Sequence, residues 1–389
     1  MFLYRRIADR DRAVLGIGQL GPSRDLPIDA SGLVQDWAFG HLAYEHGDMD
    51  GTAPNTRAGS YGWPASDWFE PRWVVEWQGS EARMHVMPGD EDAALAMARK
   101  LVGPRAARSF VEPGPWELTT SRSTYLNEAR RLLQHIQRGD IYEVNYCIER
   151  RASAEGFDPF EAFRRLLAGT DAPFAGFYRS GDRFALCASP ERFLAFDGAS
   201  VTGEPMKGTR PRFADREEDE RSMIELANDP KERSENIMAL DVMRNDLSRF
   251  AVERSVRVHE LCAVRRFPRV HQMVSTVGAQ IAPGHSQFDV VRACFPMASM
   301  TGAPKTSAMR LIAAAERRSR GLYSGTMGFF APDGTADLNV VIRTLLYDAG
   351  KGTLSLSTGS ALTALCDPAH EWEECALKAR SVIDALSHA

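Results

Sequence analysis

Lys207 lies in Glu204-Pro-Met-Lys-Gly-Thr-Arg-Pro-Arg212, a lysine set beside glycine, proline and two arginines. An ordinary lysine amine has a pKa of about 10.4 and is almost fully protonated at neutral pH. Neighbouring positive charge or partial burial lowers that value and turns the amine into a usable nucleophile. The competing reading is a solvated surface charge, which is what most lysines are. Glu191, in Ser189-Pro-Glu-Arg192, comes sixteen residues earlier at a strand junction. A carboxyl group delivered beside a nucleophilic amine suits a general acid; alone, it reads as a loop acid.

Glu371 and Glu374 stand three residues apart near the start of the last helical pattern, where they share a face and the helix dipole favours carboxylates. Their stripe continues into Cys375, Ala379 and Val382, so this face looks inward. Glu232 and Glu235 repeat the arrangement on another helix. Two helices presenting acids to a core suit a hard divalent cation such as Mg²⁺, which takes one or two carboxylates plus ligand oxygens. The plain alternative is an acidic first turn, common in any helix. Arg343 sits in the apolar strand Asn339-Val-Val-Ile-Arg-Thr-Leu-Leu346, where it costs desolvation unless it meets a carboxylate of a ligand or of the protein itself. Thr358-Gly359-Ser360 and the loop Thr301-Gly-Ala-Pro304 offer backbone N–H groups to an oxyanion.

Punctuation by Gly, Pro and Asp outlines the elements that must hold these groups. Residues 1 to about 115 are rich in Gly, Pro, Trp and charge and carry short strand patterns at 72–77 and 82–86. After Val111-Glu-Pro-Gly-Pro115, an amphipathic helix begins at a cap of Ser123 or Thr124, uses Leu126, Ala129, Leu133 and Ile136, and ends at Gly139. A strand follows at 141–148, and 174–178 pairs with 183–187 around Ser180-Gly-Asp182. Asp229-Pro230 caps a helix through Met238, Val242 and Leu247. Strands follow at 255–264 and 270–281, and Pro304 and Pro368 open two further helices. Between those helices, apolar runs at 322–330 and 338–346 flank the turn Pro332-Asp-Gly334. Strands and helices in blocks, rather than in strict alternation, predict an α+β fold.

The 389 residues are 44% hydrophobic and 25% charged with a formal net charge of −5, which describes a globular chain able to bury a large core. A mildly acidic balance gives no support for a nucleic-acid partner. Met1-Phe-Leu-Tyr-Arg-Arg6 followed by Asp9-Arg-Asp-Arg12 is not a signal-peptide pattern, and no apolar run reaches eighteen residues, so a cytoplasmic location is expected. Six scattered cysteines without CxxC spacing predict free thiols.

Taken in order, Gly139-Asp-Ile-Tyr-Glu-Val-Asn145, Ser189-Pro-Glu-Arg-Phe193, Pro205-Met-Lys-Gly-Thr-Arg-Pro211, Glu235-Asn-Ile-Met238, Asp241-Val-Met-Arg-Asn-Asp-Leu247, Thr301-Gly-Ala-Pro-Lys305, Ile342-Arg-Thr344 and Glu371-Trp-Glu-Glu374 carry a resemblance. The chain resembles the chorismate-utilising enzymes over roughly residues 120 to 385, and within them the branch of aminodeoxychorismate synthase component I. The resemblance implies two packed antiparallel sheets covered by helices, with a catalytic region at 120–387 and a β-rich part at 1–115 integrated with it. It implies chorismate as substrate and Mg²⁺ as cofactor. Lysine at 207 favours the aminodeoxychorismate branch, because anthranilate synthases carry alanine there. By the same resemblance Lys207 adds to C2 of the ring as the C4 hydroxyl departs, and ammonia then enters at C4 as the lysine leaves. Glu191 handles protons. Glu235, Glu371 and Glu374 hold Mg²⁺. Tyr323, Arg343, Thr301, Lys305 and the Gly359 loop bind substrate. A separate glutamine amidotransferase subunit is implied as the ammonia source, and a separate lyase as the enzyme that releases pyruvate to give 4-aminobenzoate for folate.

Anthranilate synthase component I is the alternative within the enzymes, with Lys207 against it, and departures from the family pattern keep open a catalytically impaired chorismate-binding homologue. Gln272 stands where many relatives have histidine, with His271 facing the other way. Glu143 stands where amine-using relatives often have glutamine and isochorismate formers a water-activating lysine. Gly359-Ser360-Ala361 replaces three glycines.

Overall fold

The computed structural model describes residues 2–7, 11–25, 36–48, 62–103, 110–316 and 318–387; Asp9 and Arg10 of the charged N-terminal stretch lie outside them. Two antiparallel sheets carry the fold, as the α+β reading expects. Along the first run β16 (Gly302–Ala303), β8 (Glu143–Ser153), β20 (Thr353–Thr363), β19 (Thr344–Asp348), β10 (Arg183–Ser189) and β9 (Phe174–Ser180). The same sheet continues through β1 (Phe2–Ile7), β2 (Arg12–Ile17), β5 (Trp73–Gln78) and β6 (Glu81–His85), with β7 (Glu117–Leu118) added on β8. The second sheet runs β13 (Met206–Pro211), β15 (Val270–Gln280), β12 (Ser200–Gly203), β11 (Arg192–Asp197), β18 (Thr335–Asn339), β17 (Thr326–Phe330), β3 (Ala38–Leu42) and β4 (Ser66–Phe69), with β14 (Arg257–Arg266) also on β15.

Ile7 and Val14 of the first sheet meet Phe39, Phe69 and Phe329 of the second in one buried cluster, so the sheets are glued face to face by rings and aliphatic groups. Fully burying each such side chain contributes about 1.5–3 kcal/mol. The other face of the first sheet is covered by α2 (Arg122–Gln137), α3 (Pro159–Thr170), α7 (Lys305–Ala315) and α8 (Pro368–Ser387). Strands covered on both faces lose their alternation: all but one residue of β10 is buried. On the second sheet lie α4 (Arg216–Asn228), α5 (Pro230–Ser248) and α6 (Gln287–Cys294).

Helix starts follow the caps. Asp229 accepts from the N–H groups of Lys231 and Glu232 with Pro230 in the first turn, as the sequence predicts. The cap of α2 is instead Ser121, whose extended backbone (φ −70, ψ 156) lets Oγ accept from Thr124 N, so the helix begins earlier than Ser123 or Thr124.

Twice the chain passes between the sheets near one point. β10 leads into β11 through Pro190 and Glu191, and β18 leads into β19 through residues 340–343. Val340 N donates to Glu191 O (3.1 Å) and Ala188 N donates to Arg343 O (3.1 Å), so the two crossings are stitched together. The run 338–346 is therefore not one strand: β18 ends at Asn339, β19 starts at Thr344, and Arg343 has a left-handed φ of 50. Consecutive Val340, Val341 and Ile342 look like a strand because both flanks of this crossing are buried in apolar core.

Candidate active site

The second residue of β13 is Lys207, opposite Met273 of β15. The register slips between Lys207 and Thr209, where Gly208 has φ +82. A bulge of this kind re-aims a side chain. A Cβ on Gly208 would meet Glu232 Cβ and Leu226 Cδ1 at 3.1 Å, so both its dihedral and its neighbours require glycine. The amine of Lys207 is buried and hydrogen-bonded to Glu143 Oε1 at the start of β8.

The arginines next to Lys207 in sequence turn elsewhere: Arg210 reaches Glu225 (2.8 Å) and Asp229 (3.4 Å), and Arg212 reaches Asp219 (2.8 Å). Burial alone would lower the Lys207 pKa, but Glu143, Glu235 and Glu191 outweigh it and hold the ammonium above the ordinary lysine range. The expectation that positive neighbours depress this pKa is overturned, because strand and helix packing surround the amine with acids.

Glu191, at the crossing between sheets, is buried, and its Oε1 accepts from Ser299 Oγ at 2.8 Å. Burial pushes its carboxyl up to about 7, against the opposing pull of Ser299 and of the Lys207 charge. A group poised there can give and take protons near neutral pH.

Helices α5 and α8 bring their acids to the same region through Lys231, whose Nζ lies 3.2 Å from Glu371 Oε1 and 3.8 Å from Glu235 Oε1. Burial pushes Glu235 and Glu371 up to about 7. Burial acts on Glu374 too, but Lys378 at 2.6 Å overrides it and holds this carboxyl below its ordinary value. Glu235 Oε1 and Glu371 Oε2 are buried with no hydrogen-bond partner. Among the described residues no three acidic, histidine or cysteine side chains converge tightly enough to hold a metal ion, and the Lys231 ammonium supplies the positive charge between the two helices. Orphaned carboxylate oxygens from two helices nevertheless fit the all-oxygen donor set that Mg²⁺ prefers.

For Arg343 the sequence left two partners open, a carboxylate of a ligand or of the protein itself. Among the described residues no acid and no side-chain hydrogen bond engages its guanidinium, and burial lowers its pKa with nothing to offset it. A partly buried guanidinium without a carboxylate beside it has the donors to receive one. Tyr323 is buried, its hydroxyl 4.0 Å from Cys147 Sγ. Gly359 pairs with Cys147 across β20 and β8, and a Cβ there would come 2.5 Å from Asn145 Oδ1. β19 pairs with β20 only as far as Leu356, which leaves the Gly359 edge of β20 without a strand neighbour; Lys378 Nζ donates to Gly359 O (3.0 Å). Thr301 and Lys305 are engaged elsewhere. Thr301 Oγ1 donates to Met297 O (3.0 Å), and Lys305 Nζ binds Asp246 (2.6 Å) and Cys294 O (2.9 Å), so their side-chain contacts give substrate binding no support.

Four participants were missed by motif reading: Glu143 as a partner of Lys207, Ser299, Lys231 and Lys378. The two lysines had a local signal, each lying four residues from an acid on its own helix. Glu143, Asn145 and Glu149 had another, a polar face on a strand whose surroundings are apolar. At the departures, Gln272 Nε2 donates to Thr209 Oγ1 (2.9 Å), while His271 bonds Asp219 (2.9 Å) on α4. The six cysteines are free, and no helix among the described residues is long and apolar enough to cross a membrane.

Residues 22–384 match the family described as chorismate binding enzyme. Aminodeoxychorismate synthase component 1 of Klebsiella aerogenes is 36% identical over 348 residues, covering 90% of this chain and 74% of that protein. Anthranilate synthase component 1 of Thermus thermophilus is 34% identical over 374 residues, covering 94% and 79%. In structure the chain superposes on anthranilate synthase component I from Streptococcus pneumoniae with a TM-score of 0.81, at 21% identity, over 98% of this chain and 90% of that one, which speaks to the fold. A match across nearly the whole chain, together with a family relative more than a third identical, makes this protein a member of the chorismate binding enzyme family.

Proposed function

We propose that this chain aminates chorismate at C4, giving 4-amino-4-deoxychorismate through a covalent bond to Lys207. The observation that carries the reading is the buried Lys207 amine set among Glu143, Glu191 and Glu235. A lysine so placed belongs to the chemistry of the site rather than to the surface. Arg343, unpaired beside Glu191's crossing, grips a substrate carboxylate, and Tyr323 and the Gly359 edge complete the pocket for it. Glu235, Glu371 and Glu374 are the residues that would hold Mg²⁺, whose charge would neutralise the ring carboxylate.

The Lys207 lone pair forms a bond to C2 as the ring double bonds shift and the C4–O bond breaks. Glu191, protonated in part at neutral pH, gives its proton to the departing hydroxyl, which leaves as water. Ammonia then bonds to C4, the double bonds shift back, and the C2–N bond breaks to free the amine. The new C4 ammonium returns a proton to Glu191. Two additions replace one difficult displacement, which is what a covalent intermediate achieves. Ammonia comes from a glutamine amidotransferase partner, and a separate lyase removes pyruvate to give 4-aminobenzoate for folate synthesis.

The test combines purified protein, chorismate, Mg²⁺ and an ammonium salt, followed by the lyase. 4-Aminobenzoate is expected; anthranilate, isochorismate or salicylate in its place sinks the reading. Anthranilate synthase is the second candidate because a relative of that name is 34% identical, and the lysine at 207 stands against it.

A further inference from the structure

Lys207 cannot attack as it stands, since an ammonium has no lone pair, and the structure points to where its proton goes. Four acids face the amine. Glu143 comes from β8, Glu191 from the crossing between β10 and β11, and Glu235 and Glu232 from α5. Their situations differ. Glu191 is tied to the Ser299 hydroxyl and is needed as the acid for the leaving group. Glu235 and Glu232 lie on the helix that faces the acids of α8. Among the described residues Glu143 is the acid in hydrogen-bond contact with Nζ.

The backbone of Glu143 is held on both sides. It pairs with Ala303 of β16 and with Thr363 of β20, and Tyr142 N donates to Ala303 O (2.7 Å). Gly302, with φ +147, passes so close that a Cβ there would lie 2.1 Å from Glu143 O. A carboxylate with a fixed backbone and a buried side chain meets the geometric demand on a general base, hydrogen-bond reach of the proton it removes. As a stabilising device the pair is poor, because burying both charges costs desolvation that their attraction repays only in part.

We propose that Glu143 is the general base that activates Lys207. This rests on the covalent reading above and deepens it. One Nζ–H bond breaks and an O–H bond forms at Glu143 Oε1, leaving neutral amine beside neutral carboxylic acid. The amine then bonds to C2 as described. When the C2–N bond later breaks, the released amine recovers its proton from Glu143, and the pair returns to its starting charges.

The test follows formation of the Lys207 adduct by rapid quench and intact-protein mass spectrometry, with chorismate and Mg²⁺ and without ammonia. Wild type, Glu143→Gln and Glu143→Asp are compared between pH 7 and 9.5, with chorismate affinity by calorimetry and folding by circular dichroism. Glu143→Gln keeps the size of the side chain and removes the acceptor. Expected are an adduct in wild type, at least about tenfold slower adduct formation in Glu143→Gln at pH 7.5 with affinity unchanged, and partial retention in Glu143→Asp. Relative to wild type, the Glu143→Gln rate should climb with pH as solvent takes over removal of the proton, since both enzymes share the fall that Glu191 imposes. Equal rates for Glu143→Gln and wild type at every pH overturn the assignment while leaving the covalent reading intact. A variant whose deficit relative to wild type does not shrink as pH rises overturns it too, because Glu143 then only positions the lysine. Absence of any adduct in wild type overturns the covalent reading and this inference together.

Discussion

Arg343 and Ala188 are joined by a hydrogen bond of 3.1 Å from the alanine N–H to the arginine carbonyl, so the backbone of Arg343 is fastened while no acid or side-chain hydrogen bond among the described residues engages its guanidinium. The proposed function gives that guanidinium a substrate carboxylate.

Replacing Arg343 with glutamine should therefore weaken chorismate binding far more than it weakens the fold. Loss of charge-assisted bonds to a carboxylate amounts to about 2–3 kcal/mol, or roughly 30- to 150-fold in affinity. Calorimetric titration and a thermal melt separate the two effects. A melting temperature that falls steeply, with affinity unchanged, would mean that the arginine has a structural partner.

Lys207→Met should abolish the chorismate adduct and also destabilise the protein. Breaking a buried ion pair by removing one partner costs about 3–5 kcal/mol, since Glu143 is left without its cation. Urea unfolding measures this, and a variant as stable as wild type argues against the burial of that pair.

The Glu191 carboxyl, pushed up to about 7 by burial, gives activity a pH limb. As an acid it acts only while protonated, so turnover should fall as pH rises through about 7, and Glu191→Gln should lack turnover at any pH. Stability changes in the same direction. The folded protein holds this proton to about 7 while an unfolded glutamate releases it near 4.3, so Glu191 makes folding less favourable as pH rises between those values. Glu191→Gln should remove that slope, and its melting temperature relative to wild type should rise between pH 5 and 8.

Gly208→Ala puts a Cβ on a residue with φ +82 and 3.1 Å from two side-chain carbons. About 1–3 kcal/mol of strain is expected, with the bulge flattened and the lysine redirected. Steady-state kinetics should show kcat reduced at least about tenfold with little change in KM; unaltered kcat would show that the bulge does not aim the lysine.

Lys231 stands between Glu235 and Glu371, where a cation held by those acids would compete with it. Lys231→Met should tighten Mg²⁺ binding, whereas Glu371→Gln should weaken it; both are read by titrating Mg²⁺ into the protein stripped by chelator. No change in either variant would place the cation elsewhere.

Much of the frame was legible because it is written locally. Asp229-Pro230 announces a helix, Ser180-Gly-Asp182 a hairpin, and Glu371 an inward acid on the stripe of Cys375 and Ala379, each by contacts within a few residues, while Glu374 keeps a side chain 42% exposed. The charged helix Arg216–Asn228 was missed since only a narrow stripe of it is apolar. Pairings across 64 residues, as between Lys207 and Glu143, or 108 residues, as between Glu191 and Ser299, leave no periodic trace. They are decided by which strands meet, and the order of the strands in a sheet is a global outcome. The misreading of Arg343 has the same origin: a crossing buried on all sides uses the residues a strand would use.

The stitching of the two crossings also sets a timetable for synthesis. Glu191 leaves the ribosome about 150 residues before the segment to which its carbonyl is bonded. The acids of α8 follow later still. A growing chain of 300 residues holds Lys207, Glu143 and Glu191 yet lacks the Val340 that clasps one crossing and Arg343, the residue proposed to receive the substrate. On the role proposed for Arg343, ligand binding by truncated forms should switch on only in chains that extend past residue 343.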